Sequence, residues 1–94
     1  MSETEETRLK RLRMRSARRG IKEMDIILSR FADVELGALN RRELDIYDGL
    51  LSENDQDLYQ WVTGQARAPE LYGPLVSRIA AVARAAVPDG GDAA

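Results

Sequence analysis

Leu39-Asn40-Arg41-Arg42-Glu43-Leu44 is the stretch on which the fold is decided. The Asn40 side chain can accept from an N–H in the first turn of a helix. Glu43, three residues on, can reach back to the Asn40 N–H and complete a capping box. Leu39 and Leu44 flank the cap at the spacing of a hydrophobic staple. Beyond it Leu44, Tyr47, Leu50 and Leu51 recur at helical spacing, so one stripe of this helix is buried. A capped, amphipathic helix in the middle of a short chain sets the period for its neighbours.

Downstream, Ser52-Glu53-Asn54-Asp55 reads as a turn. A short helix carrying Leu58, Trp61 and Val62 follows and stops near Gly64. Ala68-Pro69 marks a further boundary. Pro74 fits the first turn of a last helix, where its missing N–H has no partner to lose. Leu75, Val76, Ile79, Val82, Ala83 and Ala86 supply that helix's inward face. Upstream, Met24, Ile27, Leu28, Phe31 and Val34 recur at helical spacing, and Gly37 is a candidate C-terminal cap near Leu36. With Gly20 as N-cap, Glu23 falls at the third helical position, where a carboxylate is favoured. Glu3 to Arg18 contains neither Gly nor Pro, and Leu9, Leu12 and Met14 offer only a thin apolar stripe.

No strand-like alternation bounded by hairpin signals occurs. The fold class is therefore all-α: a single small domain, a compact five-helix bundle joined by short turns. The expected organisation is a partly frayed N-terminal arm over residues 1–10, the helical domain over 11–87, and a disordered tail over 88–94.

At 94 residues the chain fits one domain of modest core size. Apolar residues make up 44% but aromatics only 5%, so aliphatic side chains must fill the core. Cysteine and histidine are both absent. That removes thiolate nucleophiles, disulfides, Cys-based zinc sites and Ser-His or Cys-His catalysis within the chain. Carboxylate pairs such as Asp45 with Asp48, or Asp55 with Asp57, read as capping and solubility groups. The chain is not expected to be an enzyme. No segment approaches the roughly 18 apolar residues of a membrane span. The first residues carry acids where a targeting peptide would carry bases. The expected location is a bacterial cytoplasm, or the mitochondrial matrix for a processed eukaryotic protein.

The net charge of −2 conceals a polar arrangement. Arg8, Lys10, Arg11, Arg13, Arg15, Arg18, Arg19 and Lys22 form a run with no acid among them. Asp33 to Asp57 holds eight acids and two bases. Two readings stand side by side: opposed faces within one fold, or a docking surface for an acidic partner, protein or nucleic acid.

Arg18-Arg19-Gly20-Ile21-Lys22-Glu23 is the sharpest candidate. Glycine at a helix start leaves the backbone bare, so another protein can approach closely. Arginine offers a planar fork for bidentate contact with a carboxylate. The plainer reading is an ordinary helix start, with Glu23 as cap and Arg19 solvated. Trp61, Tyr47 and Tyr72 read as core or core edge.

Arg19-Gly20-Ile21-Lys22-Glu23 matches an R-G-x-x-E motif, and Leu50-Leu51-Ser52-Glu53-Asn54-Asp55-Gln56-Asp57-Leu58-Tyr59-Gln60-Trp61 matches L-L-x-x-x-D-x-D-L-aromatic-x-W. Together, over roughly Arg11 to Val87, these blocks resemble the succinate dehydrogenase assembly factor 2 family. The resemblance implies a small five-helix protein that binds the flavoprotein subunit of succinate dehydrogenase, or of fumarate reductase in some bacteria. There it promotes covalent attachment of FAD. It also implies that Arg19, Gly20 and Glu23 form the main partner contact, with Arg18 and Asp25 beside them. The arginine-rich arm is variable in that family, so the resemblance assigns it no role.

The chain has no flavin-binding fingerprint and no histidine to modify. FAD is accordingly expected to belong to the partner, with no cofactor or metal stably held here and a monomer when free. The alternatives are a nucleic-acid binder acting through Arg8 to Arg19 and an antitoxin-type regulator.

Overall fold

The computed structural model describes residues 3–86. The expected tail, 88–94, lies outside them. Among the described residues there are five α-helices and no strand: α1 (Glu5–Ser16), α2 (Lys22–Glu35), α3 (Arg41–Leu50), α4 (Asp55–Val62) and α5 (Gly73–Ala86), with a 3-10 turn at Leu36–Ala38 after α2.

The helix ends follow the local chemistry. Thr4 caps α1 by accepting from the Thr7 N–H, and Glu5 and Glu6 occupy the first turn where the dipole favours acids. The capping box at Asn40 and Glu43 is complete in both directions. Asn54 caps α4 through the Gln56 N–H. After α4, Gly64 adopts a φ of 83°. Its own N–H and that of Gln65 return to the carbonyls of Trp61 and Gln60. This pattern is a Schellman termination, and glycine accommodates its left-handed residue without strain.

The core is largely aliphatic and centres on α2. Met24, Leu28, Phe31 and Ala32 face inward and meet Leu12 of α1, Leu44, Tyr47 and Leu50 of α3, Leu58 of α4, and Leu75, Val76 and Ile79 of α5. Phe31 and Tyr47 stack obliquely, with ring centroids 5.5 Å apart. Trp61 and Tyr72 close the edge of the core at 6.1 Å. Arg78 of α5 bridges Glu35 at the end of α2 to Glu43 at the start of α3. Glu43 thereby serves both its own cap and the packing of α5.

Several expectations are corrected. Gly20 does not cap α2; Ile21 stands at the N-cap with extended backbone, φ −117° and ψ 129°, and makes no side-chain cap bond. Glu23 is thus the second helical residue, and no capping box forms. Gly37 is not a left-handed cap, because the chain runs on from α2 directly into the 3-10 turn. Met14 and Val34, placed on apolar stripes, are 54% and 59% exposed. At 3.6 residues per turn, Met14 points almost opposite to Leu12, and Val34 lies about a quarter-turn from Met24. The side chain of Ala86 lies outside those described.

Candidate partner-docking site

The charge asymmetry of the sequence is spent mostly inside the fold. Arginines at i, i+3, i+7 and i+11 share the side of α1 and of the following turn that meets α3 and α4. Arg8 pairs with Asp45. Arg11 pairs with Asp48 at 2.9 Å and also with Glu3. Arg15 pairs with Asp48 and reaches the Ser52 hydroxyl. Arg19 pairs with Asp55 at 2.8 Å. The acids read from sequence as capping and solubility groups are therefore, at Asp45, Asp48 and Asp55, ion-pair partners of α1 and the turn behind it. Arg11 holds the Asp48 carboxyl below its ordinary pKa, chiefly by hydrogen bonding.

The turn between α1 and α2 is fixed by four groups. First, Ser16 at the end of α1 is fully buried. Its hydroxyl donates to the Leu12 carbonyl at 2.8 Å and lies 2.6 Å from the Tyr47 hydroxyl. Ser16 has one proton and gives it to Leu12, so Tyr47 is the donor in the second bond. Burial pushes the Tyr47 phenol up to about 12.

Second, Arg18 takes the left-handed conformation, φ 58°, where an L-residue with a long side chain is strained. Its N–H donates to Asp25 Oδ2 at 3.1 Å. Asp25, expected beside the contact surface, therefore braces the turn and also accepts from Ser29.

Third, the Arg19 guanidinium is only 10% exposed. Its Nε donates to Asp55 Oδ1 at 2.8 Å, its Nη2 to the Leu51 carbonyl at 3.0 Å, and its Nη1 to the Arg15 carbonyl at 2.9 Å. Those carbonyls lie at the C-terminal ends of α1 and α3, where helices leave acceptors unpaired. The fork seen in the sequence is thus occupied within the chain, joining two helix ends to the first residue of α4. Fourth, Gly20 N–H donates to Asp55 Oδ2 at 2.6 Å, and a Cβ at Gly20 would sit 3.1 Å from that same oxygen.

Of the five site residues read from sequence, Arg19, Gly20, Asp25 and the Arg18 backbone hold the turn. The Arg18 side chain and Glu23 are exposed, and among the described residues neither makes a hydrogen bond or ion pair from its side chain. Asp55 was missed as a site residue. Its signal was present, as the first aspartate of the downstream block, but only the fold shows that it meets Arg19 and Gly20. For a flavin dinucleotide the fit is poor. The N–H groups of Gly20 and Gly73, the glycines nearest helix starts, are already bonded to Asp55 and to the Pro69 and Glu70 carbonyls.

Fold and site together define a class: a small all-helical protein that carries a preformed, arginine-locked turn on its surface. The chain belongs to the family described as the flavinator of succinate dehydrogenase, whose model matches residues 10–83. Among curated relatives, the mitochondrial succinate dehydrogenase assembly factor 2 of Meyerozyma guilliermondii is 51% identical over 61 residues, covering 65% of this chain and 45% of the relative. Proteins of the same name from Schizosaccharomyces japonicus and Penicillium rubens are each 47% identical over 68 residues, or 72% of this chain. They are covered over 48% and 21% of their own lengths. The match thus spans less than half of each of these relatives. No helix among the described residues is long and apolar enough to cross a membrane.

Proposed function

We propose that this chain binds the flavoprotein subunit of succinate dehydrogenase and promotes covalent attachment of FAD to it. FAD stays with the partner, and the side chain that receives it is the partner's. The setting is the compartment in which that subunit matures, a bacterial cytoplasm or a mitochondrial matrix. Family membership supports the reading, and so does the geometry of the turn. The observation that carries it is Glu23: an exposed carboxylate, without an intramolecular bond among the described residues, set two residues after the Arg19–Gly20–Ile21 junction.

A preformed surface loses little conformational entropy on docking, so more of the contact energy remains for the complex. That energy can shift the partner's population toward the conformer in which its own residue reaches the flavin. Arg19 and Gly20 act by shaping the surface, and Glu23 and Arg18 by touching the partner.

The test uses the purified chain, the unmodified flavoprotein subunit and FAD, with covalent flavin read as in-gel fluorescence. Glu23→Ala removes no internal bond, so its thermal midpoint should stay within a few degrees of the parent. Covalent flavin should fall by about tenfold, as expected when a contact worth about 1.4 kcal/mol is lost. Normal flavinylation by a folded Glu23→Ala protein would remove the carboxylate from the site.

A further inference from the structure

With Arg8, Arg11, Arg15 and Arg19 turned inward onto acids, the outward side of α1 carries what is left of the basic run. There an open groove of about 590 Å³ is lined by Lys10, Arg11, Met14, Arg15, Arg18 and Arg19, together with small residues and no acid. Among the described residues Lys10 and the Arg18 side chain have no ion pair, and both are exposed. Between them Met14 is 54% exposed. Lys10 and Met14 stand four apart on one side of α1, and Arg18, in the turn beyond the helix end, lines the same groove.

Arg18 is the telling residue. Its backbone sits at φ 58°, a position that glycine adopts with less strain, and among the described residues its guanidinium makes no bond that would offset the strain. Strain held at an exposed cation without an internal partner points to a partner outside.

We propose that this outward face of α1 is a docking groove for an acidic surface segment of the flavoprotein partner. Carboxylates of that segment pair with Lys10 and Arg18, and an apolar side chain lies against Met14. The groove runs into the Arg19–Gly20 turn, so it extends the contact already assigned to Glu23 and rests on that reading. Charge complementarity selects the occupant, since Lys10 and Arg18 have no ion pair among the described residues and no acid lines the groove. The flexible thioether of Met14 adapts to an apolar side chain of varied shape.

The experiment measures affinity for the purified flavoprotein subunit across a salt series, for the parent chain and for Lys10→Glu, Met14→Glu and Arg18→Gly. The parent should bind with an affinity that falls as salt rises. Lys10→Glu and Met14→Glu should each weaken binding by about tenfold at low salt, and the charge change at Lys10 should flatten the salt dependence. Arg18→Gly should also weaken it, while its thermal midpoint equals or exceeds that of the parent, which excludes misfolding as the cause. If the parent binds and all three variants bind equally well, the groove is overturned while the proposed function stands. If the parent itself does not bind the subunit, the proposed function fails first. Tight, salt-sensitive binding of a DNA duplex that Lys10→Glu abolishes, with subunit affinity unchanged, would reassign the groove to nucleic acid.

Discussion

Asp55 and Arg19, thirty-six positions apart in the chain, are joined by a carboxylate–guanidinium pair at 2.8 Å that lies almost wholly out of solvent. The second oxygen of Asp55 takes the Gly20 N–H. One side chain therefore connects the segment Arg19–Glu23 to the segment Leu50–Trp61, and it sets the shape of the turn between α1 and α2.

Removing Asp55 should be severe. Asp55→Ala leaves the Arg19 guanidinium nearly buried without its counter-charge, a loss of about 3 kcal/mol by analogy with broken buried pairs. For a domain whose whole stability is about 5–15 kcal/mol, that is a large fraction. Urea denaturation of Asp55→Ala should show a clearly lower midpoint. Arg19→Lys should also destabilise, because an ammonium cannot reach Asp55, Leu51 and Arg15 together. Unchanged midpoints in both would show that the pair does not hold the turn.

Gly20→Ala tests the close approach. Its new Cβ would stand 3.1 Å from an Asp55 oxygen that Arg19 prevents from moving away. Lengthening the Gly20–Asp55 bond should cost about 1 kcal/mol, or about 4–8 °C in the thermal midpoint of a domain this size. Calorimetry checks it, and a midpoint equal to the parent's would mean that Asp55 can shift after all.

Tyr47 predicts alkaline behaviour. Burial raises its folded pKa to about 12 from an ordinary 10. The folded state holds this proton more tightly than the unfolded state. Its contribution is thus complete below pH 10 and is lost as the pH climbs from about 10 to about 12. Stability followed by helical circular dichroism should fall over that window. Tyr47→Phe should flatten the fall, at a cost near neutrality of about 1 kcal/mol for the donor lost to buried Ser16.

Asp48 predicts the acid limb. Arg11 lowers its folded pKa, so the stabilisation is present above the ordinary carboxylate range and disappears as the pH drops through the folded value. Acidification below about pH 4 should loosen α1 from α3. Asp48→Asn should be less stable than the parent at neutral pH and should lose less on acidification. A parallel decline of both proteins would remove Asp48 from the account.

The sequence carried the helices because their signals are local. The Asn40–Glu43 box, the Asn54 turn, the Gly64 stop and Pro74 in the first turn each act within four residues. The buried stripes of α3 and α5 could be read from spacing in the same way. What escaped were the features made by distant residues meeting. Arg19 looked like a free fork because nothing local announces Asp55. Met14 and Val34 looked apolar enough to be buried because a stripe's width depends on what packs against it. Glycine at position 20 suggested a cap, whereas its absent Cβ makes room for a carboxylate from α4. Of the site, the segment was legible and the division of labour within it was not.

One feature of the core bears on how the site behaves in time. α1 contributes Leu12 and Ser16 to the fully enclosed interior, whereas α2 contributes four residues. Ionic contacts supply much of the remaining hold, and they are worth little each when exposed to water. α1 should therefore open at a lower free energy than α2 and show less amide protection in hydrogen exchange. A partner that grips its outer face would raise that protection. Such a partner would act, reciprocally, as a folding ligand for this chain.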